Sequence, residues 1–270
     1  MSPSSHLMTT AYLQHWTGWA PGLPDRVSWE QWLGQGTPHV AQPDSPACAQ
    51  IPPLLRRRCS FLARMVLEVA FRVCEETQTP AHQVHTIYCS RHGEMQTLRT
   101  LFDDLAAASP LSPTFFGNAV HHTPTGYWSI TAQNPLISRT ISGGEASFAY
   151  GYLEASCLLR QYPEQPVLLV VADEILPEPF ASAQHSPPFS YAVALLLCAD
   201  GNEGSIPLQF GRSDPGTTRA PVYYSEPVWD FLHWLVCDQN QAQFMTSAGG
   251  WQWQRCTIPP SSSSCPTGRP

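Results

Sequence analysis

The stretch SRTISGGEASFAYGYLEASCLLRQYP, residues 138–163, followed at once by EQPVLLVVADE, residues 164–174, decides the fold. Residues up to Ile141 suit a strand. The Gly-rich turn Ser142-Gly143-Gly144 breaks it, and from about Glu145 to Gln161 the pattern is helical. Val167 to Ala172 is then a continuous apolar run, which marks a strand buried on both faces, and PFSYAVALLLCAD, residues 188–200, repeats the type. Strand, helix and strand in this order predict α/β layering with right-handed crossovers.

Working outward, residues 53–76 place Leu55, Cys59, Leu62, Ala63, Val66, Ala70 and Val73 at steps of three and four, so one amphipathic helix is expected there. HTIYCS, residues 85–90, reads as a short strand, and EMQTLRTLFDDLAAA, residues 94–108, as a helix stopped by Ser109-Pro110. Aromatic, Gly and Pro residues mix through LSPTFFGNAVHHTPTGYWSI, residues 111–130, which suits a buried, irregular joint and helix. Near the C-terminus, Ser225 is expected to cap a helix whose stripe is Val228, Phe231, Leu232, Leu235 and Val236, and GGWQWQRCTI, residues 249–258, to form a terminal strand. Residues 1–53 yield only fragments: WTGWAPGLPD and SWEQWLGQG suggest short strand and helix pieces. No internal repeat is visible; a single domain over 1–258 and a disordered tail over 259–270 are expected.

Composition narrows the function. The 270 residues are 43% hydrophobic and 11% aromatic, which excludes a disordered chain. Charged residues are only 13%, so an apolar face awaiting a partner is expected. A net charge of -7 argues against a nucleic-acid groove or an anionic membrane as partner. All 14 basic residues are Arg, which removes every lysine-based mechanism. The nine Cys form no CxxC pair and suit buried small hydrophobes in a reduced compartment. With no signal peptide and no apolar run near the roughly 20 residues of a membrane helix, a cytoplasmic protein is expected.

The chemistry concentrates at the turn Ser142-Gly143-Gly144-Glu145-Ala146-Ser147. A helix start after a strand offers backbone N–H groups and partial positive charge to an anion or a thiolate. The residue placed there is Glu145, and a carboxylate at a helix start is equally ordinary capping. Neither a G-x-G-x-x-G nor a G-x-S-x-G pattern is present. His121-His122 point about 100° apart and lack partners at ligand spacing, so no metal is expected. Asp173-Glu174 stand at the C-terminal end of a strand, where α/β sheets carry catalytic groups, or form a solvated loop or a salt bridge with a neighbour. Cys89, beside Arg91 and His92, is either a thiolate near cations or a structural thiol.

The segment from Leu111 to Leu159 resembles the N-terminal half of the β-ketoacyl synthases. It is similar in particular to the short ketoacyl-synthase-like chain length factors of aryl polyene pathways. The resemblance rests on Ser112-Pro113-Thr114-Phe115-Phe116, on the strand leading to the turn, and on the two apolar strands that follow, and it is strongest over residues 53–200. It implies a thiolase-like half fold, layered α/β with a mixed sheet. It puts Glu145 where the family has its nucleophilic Cys, so the chain has no catalytic residue for condensation and the six-residue turn is vestigial. The family's catalytic His and structural Lys belong to a C-terminal half that is missing here, and such a half fold leaves a core face uncovered. The resemblance further implies no cofactor, a heterodimer with a Cys-bearing ketosynthase, and an acyl carrier protein that docks mainly on that partner. Phe115, with Phe116 beside it, is then the candidate stop of a shared acyl tunnel, with Thr114, His121 and His122 in the same tunnel or interface; a plain dimer-core aromatic is the alternative role for Phe115. Two rivals stand beside the chain length factor: a malonyl-thioester decarboxylase using Glu145, and a scaffold without effect on product length.

Overall fold

The computed structural model describes residues 8–35, 44–181, 187–213, 226–239, 241–246 and 249–256. In chain order the elements are β1 (Thr9–Trp19), α1 (Arg26–Gln35), α2 (Pro53–Arg56), α3 (Phe61–Glu76), β2 (His85–Cys89), α4 (Met95–Ala106), α5 (Pro113–Asn118), α6 (Thr123–Thr131), β3 (Ser138–Ile141), α7 (Ser147–Gln161), β4 (Val167–Asp173), β5 (Tyr191–Cys198), β6 (Ile206–Arg212), α8 (Pro227–Val236), β7 (Gln241–Thr246) and β8 (Gly249–Arg255). The strands form one mixed sheet in the order β3-β2-β4-β5-β1-β6-β8-β7. β2 runs parallel to β3 and β4, and the remaining pairings are antiparallel.

The apolar runs of β4 and β5 feed both faces of the sheet, because successive side chains alternate. Leu168, Val170 and Ala172 join the core beneath α3 and Trp128, whereas Val167, Leu169 and Val171 join the core beneath α7, α1 and α8. Gly151 of α7 sits directly against Cys89 of β2, and a Cβ there would overlap that sulfur. The helix axis therefore approaches the sheet as closely as a bare backbone allows.

Three expectations about the elements are corrected. The helix over 53–76 is two helices, because Ser60 breaks it: its Oγ accepts from the Ala63 N–H (3.0 Å) as the N-cap of α3 and donates to Glu94 Oε1 (2.6 Å). The N-terminal stretch is an eleven-residue strand in the interior of the sheet, not a fragment. Its register shifts between Leu13 and His15. That irregularity puts Ala11, Leu13 and Trp16 on one face despite the odd spacing, so the period of two is lost from the sequence. Finally, only part of residues 111–130 is buried: α5 and the loop before it lie at the surface, whereas α6 buries Pro124, Thr125 and Trp128.

The core under α7 is closed by the chain's own aromatic side chains. Trp29 and Trp32 of α1 meet Trp229 of α8 edge to face, and Trp253 of β8 stacks on Phe148 at 5.3 Å and packs against Tyr152 and Phe231. The expected Ser225 cap and the tail from Pro259 lie outside the described residues.

Candidate functional site

β3 ends at Ile141, and a short 3-10 turn, Gly144–Ala146, leads into α7. Gly144 has φ +59°, which a side chain would strain. Ser147 closes the turn, accepting from the Gly143 N–H (3.0 Å) and donating to the Gly144 carbonyl (2.7 Å). Glu145 Oε1 lies 3.6 Å from Arg91 Nη2, and the Arg91 side chain is only 12% exposed.

Arg91 is aimed at the turn by a buried carboxylate. Asp173, at the end of β4, accepts from Ser90 Oγ (2.7 Å), Arg91 N (3.0 Å) and His92 N (2.9 Å). Ser90 Oγ in turn accepts from Gly93 N (2.8 Å). The loop after β2 is thus clamped onto the end of β4. Burial raises the Asp173 pKa, and these hydrogen bonds oppose the rise. Tyr191 Oη donates to Glu226 Oε2 at 3.2 Å. Burial pushes Glu226 up to about 8, with Asp173 adding to the effect and Arg91 opposing it. Glu174 is likewise raised to about 8, first by burial and then by Glu94 and Asp173.

Arg91, Glu145, Phe148, Asp173, Tyr191 and Glu226 line a narrow, partly open cleft of about 20 Å³. The turn that the resemblance marks as a nucleophile site is thus narrowed by the Arg91–Glu145 pair. Asp173 and Glu174 are neither a solvated loop nor a salt bridge: both are buried, and Asp173 is a backbone clamp. Cys89 is a structural thiol, fully buried with its pKa raised by burial, and Arg91 turns to Glu145 instead of to it. Cys48, Cys59 and Cys74 are buried as expected, whereas Cys157 and Cys237 are exposed. Among the described residues no cluster of three His, Cys, Asp or Glu is arranged to hold a metal.

The second feature lies beyond β3, on α4 to α6. Ser112 Oγ accepts from the Phe115 N–H at 3.4 Å and Pro113 opens α5, which fixes the start of a short helix at the surface. Phe115 is 42% and Phe116 67% exposed, and Thr114 is exposed beside them. Phe102, Leu105, Val120 and Ile130 are exposed on the neighbouring segments. A shallow, largely apolar groove of about 350 Å³ runs between Gly117, Val120, His122, Gly126 and Ile130. His122 borders it and is tied to β3 through Thr140 Oγ1 (2.5 Å). His121 points elsewhere, with its ring 5.6 Å from that of Tyr88 and its Nε2 3.3 Å from the Ser90 carbonyl. The expected tunnel residues therefore separate, with Thr114, Phe115, Phe116 and His122 on the outer flank and His121 in the wall behind it.

Arg91 entered the sequence reading only as a cation beside Cys89, and the structure turns it to Glu145 instead. Glu226 was passed over, because its partner Tyr191 is 35 residues away.

The β-ketoacyl synthase N-terminal domain family matches residues 29–254. The chain belongs to this family. Among solved structures it is similar to the ketosynthase ApeO in complex with its chain length factor ApeC from Xenorhabdus doucetiae, with 28% identity, a TM-score of 0.73, and 91% of this chain and 99% of that chain covered. It is similar in fold to the ishigamide ketosynthase/chain length factor, at 14% identity and a TM-score of 0.60 over 74% of this chain and 65% of that one. A third likeness in fold is AntDE:AntF, a type II polyketide synthase acyl-carrier protein in complex with its ketosynthase, at 10% identity and a TM-score of 0.54 over 71% and 63%. A search of curated proteins returned no match. Among the described residues no helix is long and apolar enough to cross a membrane.

Proposed function

We propose that the chain is a non-catalytic chain length factor. It pairs with a Cys-bearing ketosynthase and shapes the acyl tunnel that the two subunits share, in polyene or related polyketide-like biosynthesis. The observation that carries the reading is the contrast at β3. On one side the nucleophile turn holds Glu145 against Arg91 at 3.6 Å in a narrow cleft. On the other, Phe102, Leu105, Phe115, Phe116 and Ile130 on three successive helices, and Val120 in the loop between the last two, stand exposed, a larger apolar display than an isolated domain needs. The similarity to a ketosynthase and chain length factor complex, in which the matched chain is covered almost end to end, supports the same reading. Residues 1–258 then act as one unit in the cytoplasm, with no cofactor.

In this role Phe115 and Phe116 project from α5 toward the partner, where a packed ring stops the growing chain, since a close-packed wall yields poorly to an extra two-carbon unit. Phe115→Ala in the reconstituted complex is expected to give longer products; an unchanged product distribution would support the scaffold reading instead. The decarboxylase reading requires a malonyl thioester to dock against Glu145, which is tied to Arg91 and keeps only about a third of its side chain in solvent. Carbon dioxide release from malonyl carrier protein that disappears in Glu145→Ala would nevertheless restore it.

A further inference from the structure

α5 carries the two phenylalanines of the outer flank but adds almost nothing to the core behind them. Residues 113–117 are all exposed, and Asn118 is the one buried residue of the helix, at 3% exposure. A Cβ added at Gly117 would meet nothing within 4 Å, so the last turn has no packing on that side. A helix of six residues does not hold its direction alone. That direction is set at its ends, by the Ser112 cap and Pro113 at the start and by Asn118 at the finish.

The Asn118 amide is held on both sides. Its Nδ2 donates to the Arg58 carbonyl (2.7 Å), in the joint between α2 and α3, and its Oδ1 accepts from Tyr127 Oη (2.8 Å) of α6. Tyr127 Oη also lies 3.2 Å from the Arg58 carbonyl, which closes a triangle of groups from three parts of the chain. α6 is a firm base for it, because Trp128 is buried against Phe71 with ring centroids 4.8 Å apart. Thr123 Oγ1 adds a bond to the Gly117 carbonyl (2.9 Å). The amide fits in one orientation only: turned over, its oxygen would face the Arg58 carbonyl, acceptor against acceptor. Directional hydrogen bonds thus hold α5 where packing does not.

We propose that Asn118 is a positioning residue for product length: its amide fixes the angle of α5 and so the depth at which Phe115 closes the shared tunnel. The inference rests on the chain length factor reading and deepens it. Asn118 lies three residues after Phe115, one turn along the helix, so a tilt at the anchor is carried to the ring. A ring held at a fixed depth resists a further two-carbon unit, whereas a ring on a loosened helix gives way to it.

The test compares wild type, Asn118→Ala, Tyr127→Phe, Phe115→Ala and the double variant Asn118→Ala/Phe115→Ala in the reconstituted ketosynthase complex. Mass spectrometry reads the product lengths, and native mass spectrometry reads assembly. Asn118→Ala is expected to raise the share of longer products about tenfold with the one-to-one assembly intact, and Tyr127→Phe, which removes one bond and keeps the amide, to act in the same direction but less. The double variant is expected to match Phe115→Ala, because Asn118 acts through that ring. In the lone chain, amide hydrogen exchange across α5 is expected to be about tenfold faster in Asn118→Ala, with exchange in β4 and β5 unchanged. Longer products from Phe115→Ala but wild-type products from an assembled Asn118→Ala complex overturn the anchor alone, as does a double variant whose effects simply add. Unchanged exchange in α5 also overturns it. Loss of assembly in both Asn118→Ala and Tyr127→Phe assigns the triangle to holding the subunits together and overturns it too. Unchanged products from Phe115→Ala overturn the chain length factor reading itself, and the proposal with it.

Discussion

The surroundings of α7 and those of α5 treat apolar surface in opposite ways. Around α7, where a half fold would leave apolar surface bare, the first and last segments of the chain bring Trp29, Trp229, Trp251 and Trp253 into the gap, and each is buried. Around α5 no described residue covers the two exposed phenylalanines. Phe115 and Phe116 remain in solvent although the chain is rich in aromatics that bury themselves elsewhere. The difference separates the apolar surface that the chain covers itself from the apolar surface that the proposed function gives to a partner: aromatic side chains stabilise a fold when the chain covers them and can stabilise an assembly when it does not.

That comparison breaks or sharpens under substitution. The largest effect is expected on the sealed side: Trp253→Ala empties a site packed by Phe148, Tyr152, Phe231 and Phe244, and a denaturation series on the lone chain is expected to show a loss of about 3–5 kcal/mol. Gly151→Ala forces a methyl into the Cys89 sulfur and is expected to cost about 1–3 kcal/mol by the same assay; a neutral result would show that α7 moves freely off the sheet.

The next effect is on pH. Glu174 and Glu226 are held near 8, above their ordinary value of 4.5, so folding favours their protonated forms. Their contribution is complete below about 4.5 and is lost as pH rises toward 8, by up to about 1.4 kcal/mol per pH unit for each proton released. Thermal midpoints measured from pH 6 to 9 should therefore fall, and Glu226→Gln should make the fall shallower. The smallest effects belong to the open side: Phe116→Ala and Glu145→Ala, both on solvent-facing groups, should leave the stability of the lone chain within about 0.5 kcal/mol. A large loss in Phe116→Ala would mean that α5 is part of the monomer's core.

How much of this was legible in the sequence depends on how local the signal is. β4, β5 and α7 could be read because their burial follows from continuous runs and a glycine turn within one segment. β1 could not, since the irregularity between Leu13 and His15 destroys the alternation that marks a strand. The resemblance located the turn and put Glu145 at its centre, but the narrowing of the site depends on Arg91, Asp173 and Glu226, which come from three distant places and meet only in the fold. The aromatic cover was not legible for the same reason. Composition showed an excess of tryptophan without showing that α1, α8 and β8 would bring it over α7, whereas the resemblance had already put Phe115 and Phe116 at an interface.

The most direct test of the account is co-expression with the ketosynthase encoded nearest to this chain, comparing wild type with Phe102→Asp/Phe116→Asp and weighing both by native mass spectrometry. The account predicts a one-to-one complex for wild type and its loss in the variant, with the isolated variant as well folded by circular dichroism as the isolated wild type. A complex that survives both aspartates, or a wild-type chain that stays monomeric and indifferent to the ketosynthase, would contradict it.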